Sequence, residues 1–540
     1  MMNYVLFQGG SGSMAAKAFA HFTALGMINV DSIHAQLCDK DKESADTESA
    51  KNVLELVQSV SAQSFLSPAQ GNGVCDDKKF ATKPLIFHDY RFSDDLARIV
   101  KAKTGRDDAD LPIRDCVKEQ SADQYLLDTF FSADEQVDKI DVGFKGCASR
   151  GAVIYSYMLE NDCKVLEQIR NVVKVNPTEH IRVMAVGSIF GGTGASMFLK
   201  TVEKVKALNP AYVHVAGVLI FPNFGFTAQK NCEIISENFW KKTFTSLNGY
   251  AEYPNLVKTS VDDAEGKLDR LYLAVLPNNE LHNSTRKVSV GGENQNRKSD
   301  FIDVVVANYI ADFFNLPVAE GLTSFARGTA TNPCSNIYTL NYQPVTAAQK
   351  LTLDAIPGGF KEKAAHMLSF SAVVFWLKWC LETKKLKDIV WLQGLLKSKA
   401  LLIGAYIKNH EGEIRPAVKS VVDTVFNYCS SYVDFVKEIT ETGKPVETNY
   451  PDYSDNYNFF NEINVGRLWS VKNSLAKGGT PCPEEEINAV LGCGDYANFT
   501  LGKTARNCIQ DSLSGKTLSK NASYADAICA YLNNAYLYLQ

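Results

Sequence analysis

Residues 187–196 read Gly-Ser-Ile-Phe-Gly-Gly-Thr-Gly-Ala-Ser: four glycines, two serines and a threonine in ten positions. They stand behind the apolar run 181–186 and ahead of the helix-like Met197-Phe198-Leu199-Lys200. A strand-to-helix turn of this composition suits one chemistry above others, the holding of a phosphate. A helix N-terminus offers unpaired backbone N–H groups and about half a positive charge. Glycines let the backbone come close to the anion and turn back through positive φ. Gly191, Gly192 and Gly194 would form the cradle, and Thr193 and Ser196 would add hydroxyl donors. The same composition recurs at Gly9-Gly10-Ser11-Gly12, behind the apolar residues 3–8, and again at 143–151, Gly-Phe-Lys-Gly-Cys-Ala-Ser-Arg-Gly.

Each turn alone also reads as a tight strand-to-helix connection. Three of them at equivalent places in an alternating chain point to a shared site. No G-x-x-x-x-G-K-[ST] occurs, and behind the first strand Ala15 stands where the third glycine of G-x-G-x-x-G belongs. A nicotinamide or flavin site is the weak alternative.

The elements that must position these turns follow from periodicity. Strands are expected at 3–8, 32–38, 181–189, 213–221 and within Leu-Asp-Arg-Leu-Tyr-Leu-Ala-Val-Leu at 268–276. Helices are expected over 14–25, from about 50 (capped by Asp46, Thr47 or Ser49), over 122–131, 152–172 and 197–208. A long helix at 296–314 carries two apolar stripes, which marks it as buried. Strands alternating with helices imply a mostly parallel sheet, with ligands beyond the carboxyl ends of its strands. From about 365 the chain reads as helices, with a polar interruption at 440–462; core packing is the expected role of Trp376, Trp379 and Trp391.

The 540 residues exceed one compact core, so two or three domains are expected. A formal charge of −5 leaves no basic field to hold DNA or RNA as the main ligand. Thirteen cysteines without any C-x-x-C argue for free thiols rather than disulfides or a zinc knuckle, and no metal site built by protein ligands alone is expected. The N-terminus lacks the features of a signal peptide. Residues 367–381 are apolar but short and contain Lys378, so they suit a buried helix better than a membrane span. A soluble, cytoplasmic protein without a membrane partner is the expectation.

Phe190-Gly191-Gly192-Thr193-Gly194-Ala195-Ser196 matches five of the seven positions of the tubulin signature [SAG]-G-G-T-G-[SA]-G. Together with the order of the other loops, this makes residues 3–315 resemble the tubulin/FtsZ superfamily. Gln8 to Phe19 resembles the family's first glycine loop, Cys38-Asp39-Lys40-Asp41-Lys42 its acidic second loop, and 143–151 its third. Residues 271–281 resemble the FtsZ stretch that precedes the long central helix.

The resemblance implies an α/β, Rossmann-like nucleotide-binding domain at 1–295 with an insertion at roughly 50–138, a central helix at 296–315, and a mainly α-helical region at 316–540. It also implies GTP or GDP with Mg²⁺. Gly9, Gly10, Ser11 and Gly12 would meet the α/β-phosphates, and Gly191, Gly192, Thr193, Gly194 and Ala195 the β/γ-phosphates, with Gly146, Cys147 and Ala148 contributing from the third loop. Asp39 and Asp41 would lie on the Mg²⁺ side, although their residue types read equally as a solvated acidic turn. Asn296 and Asp300 would lie by the base, although they read equally as polar residues at a helix start.

The chain departs from the family at Phe190 and Ser196. It has no aromatic one turn before Asn296 or Asp300, and after the central helix it has no N-x-D-x-x-[DE], only Glu320. It also reads as helices where the family has a second sheet. The catalytic residue is therefore unassigned. One reading is a GTP-binding protein that stacks on itself head to tail into filaments, with hydrolysis across the contact. The other is a non-hydrolysing sensor or scaffold whose helical region binds a protein partner.

Overall fold

Seven parallel strands carry the glycine turns. The computed structural model describes residues 1–41, 44–61, 85–106, 112–117, 119–137, 144, 146–222, 225–226, 236–258, 265–275, 287–288, 297–316, 337–339, 359–397, 399–442, 465–476 and 523–539. The chain divides into two compact units, residues 1–19, 28–54 and 85–345 in the first, and 20–27, 55–84 and 346–540 in the second.

In the first unit the strands of the main sheet are β1 (Met2–Gln8), β2 (Ile33–Cys38), β3 (Leu85–His88), β4 (Ile181–Ser188), β5 (Val213–Ile220), β6 (Arg270–Ala274) and β7 (Ile337–Thr339), and Gly225–Phe226 pairs with Lys287–Val288 apart from it. Their spatial order is β3-β2-β1-β4-β5-β6-β7, and every pairing is parallel. This is the order of a doubly wound, Rossmann-like sheet, whose direction of winding reverses between β1 and β4. Residues in β1, β2, β4 and β5 are buried nearly end to end without alternation, because helices cover both faces of a parallel sheet.

On one face Tyr4, Leu6, Val183, Ala185 and Val215 share a core with Tyr155, Met158, Met197, Phe198 and Val202. Those helical residues come from α6 (Ala148–Glu160) and α8 (Thr193–Leu208). On the other face Phe7 meets Phe19 of α1 (Gly9–Ala24) at 5.3 Å between ring centres, and Tyr272 meets Tyr309 of α10 (Phe301–Asn315) at 4.9 Å. Between β2 and β4 lie α2 (Ala45–Ser61), β3, α3 (Phe92–Thr104), α4 (Ala122–Phe130), α5 (Ala133–Val137), α6 and α7 (Glu167–Val175). A further helix, α9 (Ser236–Glu252), follows β5.

Several boundaries differ from the sequence expectation. The helices behind the glycine turns begin at Gly9 and Thr193, so Gly9, Gly10, Gly12 and Gly194 lie in first turns, while Gly191 and Gly192 stay ahead of α8. The helix expected over 152–172 is two, broken at 161–166. Ser44, rather than Asp46, Thr47 or Ser49, starts α2, and its Oγ accepts the Thr47 N–H at 3.4 Å. The expected insertion contains a sheet strand, β3, and the region assigned to the helical domain contains another, β7. The central helix starts at Phe301, and Asn296 and Glu320 lie outside the described residues.

The second unit is helical at every described element after 346: α11 (Phe360–Thr383), α12 (Val390–Leu396), α13 (Ile403–Asn409), α14 (Glu411–Thr442), α15 (Val465–Ala476) and α16 (Tyr524–Leu539), with a short 3₁₀ turn at Leu386–Asp388. Most of the interruption read at 440–462 lies outside the described residues. Helix α11 packs against α14 and α16. It is long and apolar enough to cross a membrane, but 83% of its most apolar stretch is buried inside the protein, as befits a core helix. Trp376 and Trp391 are buried as expected, Trp391 stacking on Tyr531 at 5.6 Å, while Trp379 is half-buried with the Lys384 ammonium 4.8 Å above its ring.

Candidate functional site

The strand register aligns three turn-bearing ends. Gln8, the last residue of β1, lies opposite Cys38 in β2 and Gly187 in β4. Gly9 and Asp39 therefore leave the sheet level with Ser188, the last residue of β4, on both sides of the point where the winding reverses. Crevices at such points are where open α/β sheets bind ligands.

Gly9 opens α1 at φ 72°, a conformation that side chains rarely adopt. A methyl group on it would stand 2.9 Å from Gly194 N and 3.3 Å from Thr193 Cβ. A methyl on Gly194 would stand 2.7 Å from Ser188 N and 3.0 Å from Gln8 O. The turns after β1 and β4 thus touch through bare backbone, and glycine is what permits it. The third glycine segment joins them: a methyl on Gly192 would stand 3.2 Å from Gly146 N. The strand end expected just ahead of this segment lies at 138–143, outside the described residues.

Gly9, Gly12, Thr193 and Gly194 are buried in these contacts, while Gly10, Ser11, Gly191, Gly192, Ala195, Gly146, Cys147 and Ala148 keep partial exposure. No side chain caps the N-terminus of α8. Two helix N-termini with partly open, nearly side-chain-free first turns meet here, an arrangement that favours an anion.

The acidic turn is not a solvated loop. Lys40 and Asp41 are buried and Asp39 is half-buried. Asp39 accepts hydrogen bonds from Thr193 Oγ1 at 3.1 Å, from Thr47 Oγ1 at 3.2 Å and from Asp41 N at 3.3 Å. It ties the β4 turn to the first turn of α2. Burial pushes its carboxyl up to about 6, and the Asp41 charge adds to the rise against those hydrogen bonds.

Asp300 takes the helix-start role that its residue type also allowed. It caps α10 in a reciprocal box: its Oδ1 accepts the Phe301 N–H at 2.6 Å, and Asp303 Oδ2 accepts the Asp300 N–H at 2.8 Å. Asp303 also holds Arg297 at 2.7 Å, and the Arg297 N–H donates to Asp46 at 2.6 Å. Asp300 therefore serves a buried charged network that links α10 to α2. Burial raises the Asp46 carboxyl to about 7, with Arg297 pulling the other way.

Two residues escaped sequence reasoning. Gln8 is buried, donates from Nε2 to Thr201 Oγ1 at 2.8 Å, and shares that hydroxyl with Tyr155 at 3.0 Å; it anchors the end of β1 to α8 beneath the turns. A polar residue closing an otherwise apolar strand was its only signal. Asn308 is buried in α10, and its amide has no hydrogen-bond partner among the described residues; an amide inside an apolar helix was the corresponding signal. Among the described residues no three His, Cys, Asp or Glu side chains group to hold a metal by themselves. No family model matches the chain, and no curated protein matches it.

Proposed function

We propose that this chain is a guanine-nucleotide-binding protein on the tubulin/FtsZ plan that assembles with itself head to tail. The observation that carries the reading is the backbone contact between Gly9 and Gly194, which joins the first turns of two helices at the reversal of the sheet. A diphosphate or triphosphate has the length and charge to span two such N-termini.

The polyphosphate would be held by Gly10, Ser11 and Gly12 on one side and Gly191 to Ala195 on the other, with Gly146 to Ala148 at the rim. Asp39 and Asp41 fit a Mg²⁺ partner, because a carboxylate beside phosphate oxygens needs a cation between them and Mg²⁺ takes one or two carboxylates plus phosphate oxygens. When bound, Mg²⁺ would neutralise phosphate charge. Asn308, buried in α10 and with no hydrogen-bond partner among the described residues, offers a donor and an acceptor that a base edge could use. No residue is assigned to hydrolysis.

Asp39 at the end of β2 also occupies the place of a dinucleotide's ribose partner. Its carboxylate is spent on Thr193 and Thr47, which favours the phosphate-side role. The missing N-x-D-x-x-[DE] supports a second reading, a nucleotide-binding scaffold that does not hydrolyse. Pelleting with GTP, GDP, ATP or NAD⁺ plus Mg²⁺, with released phosphate measured in the supernatant, separates these. GTP-selective pelleting is expected, and binding of NAD⁺ in preference to GTP would overturn the reading.

A further inference from the structure

Two exposed surfaces of this chain are mirror images in charge. Residues 384–410 carry six lysines against one aspartate, +5 within a chain whose total is −5. They form the 3₁₀ turn at 386–388, α12 and α13, which pack on one another. Leu401 and Leu402, joining α12 to α13, are 104% and 78% exposed. Lys385, Lys387, Lys397 and Lys408, on the same turn and helices or at their ends, are exposed as well.

Residues 119–137, spanning α4 and α5 of the first unit, carry three aspartates and two glutamates with no lysine or arginine, −5. Tyr125 and Phe130 stand 70% and 73% exposed there, beside Leu126 at 56%. Asp123, Asp128 and Asp134 are exposed and form no ion pair among the described residues. The same holds for Lys385, Lys387, Lys397 and Lys408.

Exposed large apolar side chains inside a single-sign charge cluster mark an interaction surface rather than a solvated face. Nucleic acid would be met by the lysines but gains little from two bare leucines, and it leaves the acidic aromatic surface without a partner. Each surface supplies what the other lacks, exposed leucines on a lysine-rich segment and exposed aromatics on a carboxylate-rich one.

We propose that these surfaces bind each other between copies of the chain, the lysine–leucine surface of α12–α13 on one copy seating on the acidic aromatic surface of α4–α5 on the next. The contact is heterologous and leaves one free surface of each kind at the ends, so it propagates. This rests on the self-assembly half of the proposed function and not on the nucleotide half.

Sedimentation velocity of the full chain, with nucleotide titrated into the same samples, tests it. Wild type is expected to associate, and to associate less as salt rises from about 0.05 to 0.5 M. K397E/K408E and D123K/D128K should each weaken association at least about tenfold while melting like wild type. An equimolar mixture of the two should regain it, because each reversed surface then meets its complement. Monomeric wild type under all conditions would overturn the proposal. So would reversal of the aspartates without effect, or capture of the wild-type lysine surface by anionic-lipid vesicles instead of by a second copy. Nucleotide affinity unchanged in both variants separates a failure here from a failure of the phosphate site.

Discussion

A carboxylate beside a phosphate must either hold a proton or share a cation with the anion, and on the proposed reading Asp39 would face that choice. Asp46, seven positions later, is a cleaner case because it is buried and faces Arg297 rather than the turns. Its folded-state pKa, about 7, lies above the unfolded value of about 3.9. The stability from its proton is therefore complete below that unfolded value and is lost as pH rises to about 7. Asp46→Asn should flatten the fall in melting temperature between pH 5 and 7.5 by several degrees, measured against wild type, and leave the two alike near pH 4. At this scale the meeting of the glycine turns was legible because close backbone contact is defined by missing side chains, and the sequence displays absence directly. Asp300 kept two readings in the sequence because a cap and a base contact ask for the same residue type, and the structure shows it capping α10. Gln8 and Asn308 were missed because one polar residue in an apolar element has no spacing to detect.

Among the elements, β1–α1 and β4–α8 act as one joint. Ser188 N and Gln8 O lie so close to Gly194 that a side chain there must displace main chain. Gly194→Ala should cost roughly 1–3 kcal/mol in urea unfolding without ligand, which makes it a probe of the joint rather than of binding. An unchanged midpoint would contradict the contact. The strands of the central sheet were readable as continuous apolar runs, since parallel strands are buried on both faces. Leu85–His88 was not, because four residues carry no period, and its pairing with β2 comes from a neighbour far away in sequence. The helix starts were read late because glycine is a poor helix former; here the turns keep glycine for the close backbone approach.

At the scale of the molecule, the two units differ from the expected domains because contacts ignore chain order. The end of α1 belongs to the helical unit, where Phe22 stacks on Phe360 at 4.7 Å and the Gly26 carbonyl accepts Lys363 at 3.1 Å. An amphipathic pattern shows that a face is buried but not against which partner. The helical character of the second unit was legible from its apolar spacing, and its internal pairing was not. Head-to-tail assembly predicts GTP-dependent growth in sedimentation coefficient with protein concentration, and a concentration-independent monomer would contradict it.

The phosphate site itself is tested by calorimetric titration of GTP–Mg²⁺ into wild type and Ser11→Asp. Ser11 lies half-exposed in the first turn of α1, where a carboxylate favours the helix and so preserves the fold. The same carboxylate would stand against a bound phosphate. Two unit charges about 5 Å apart at an effective dielectric of about 20 repel by roughly 3 kcal/mol, so the account predicts saturable binding to wild type and about a hundredfold loss in the variant, with melting unchanged. Equal affinity in the two proteins would contradict it.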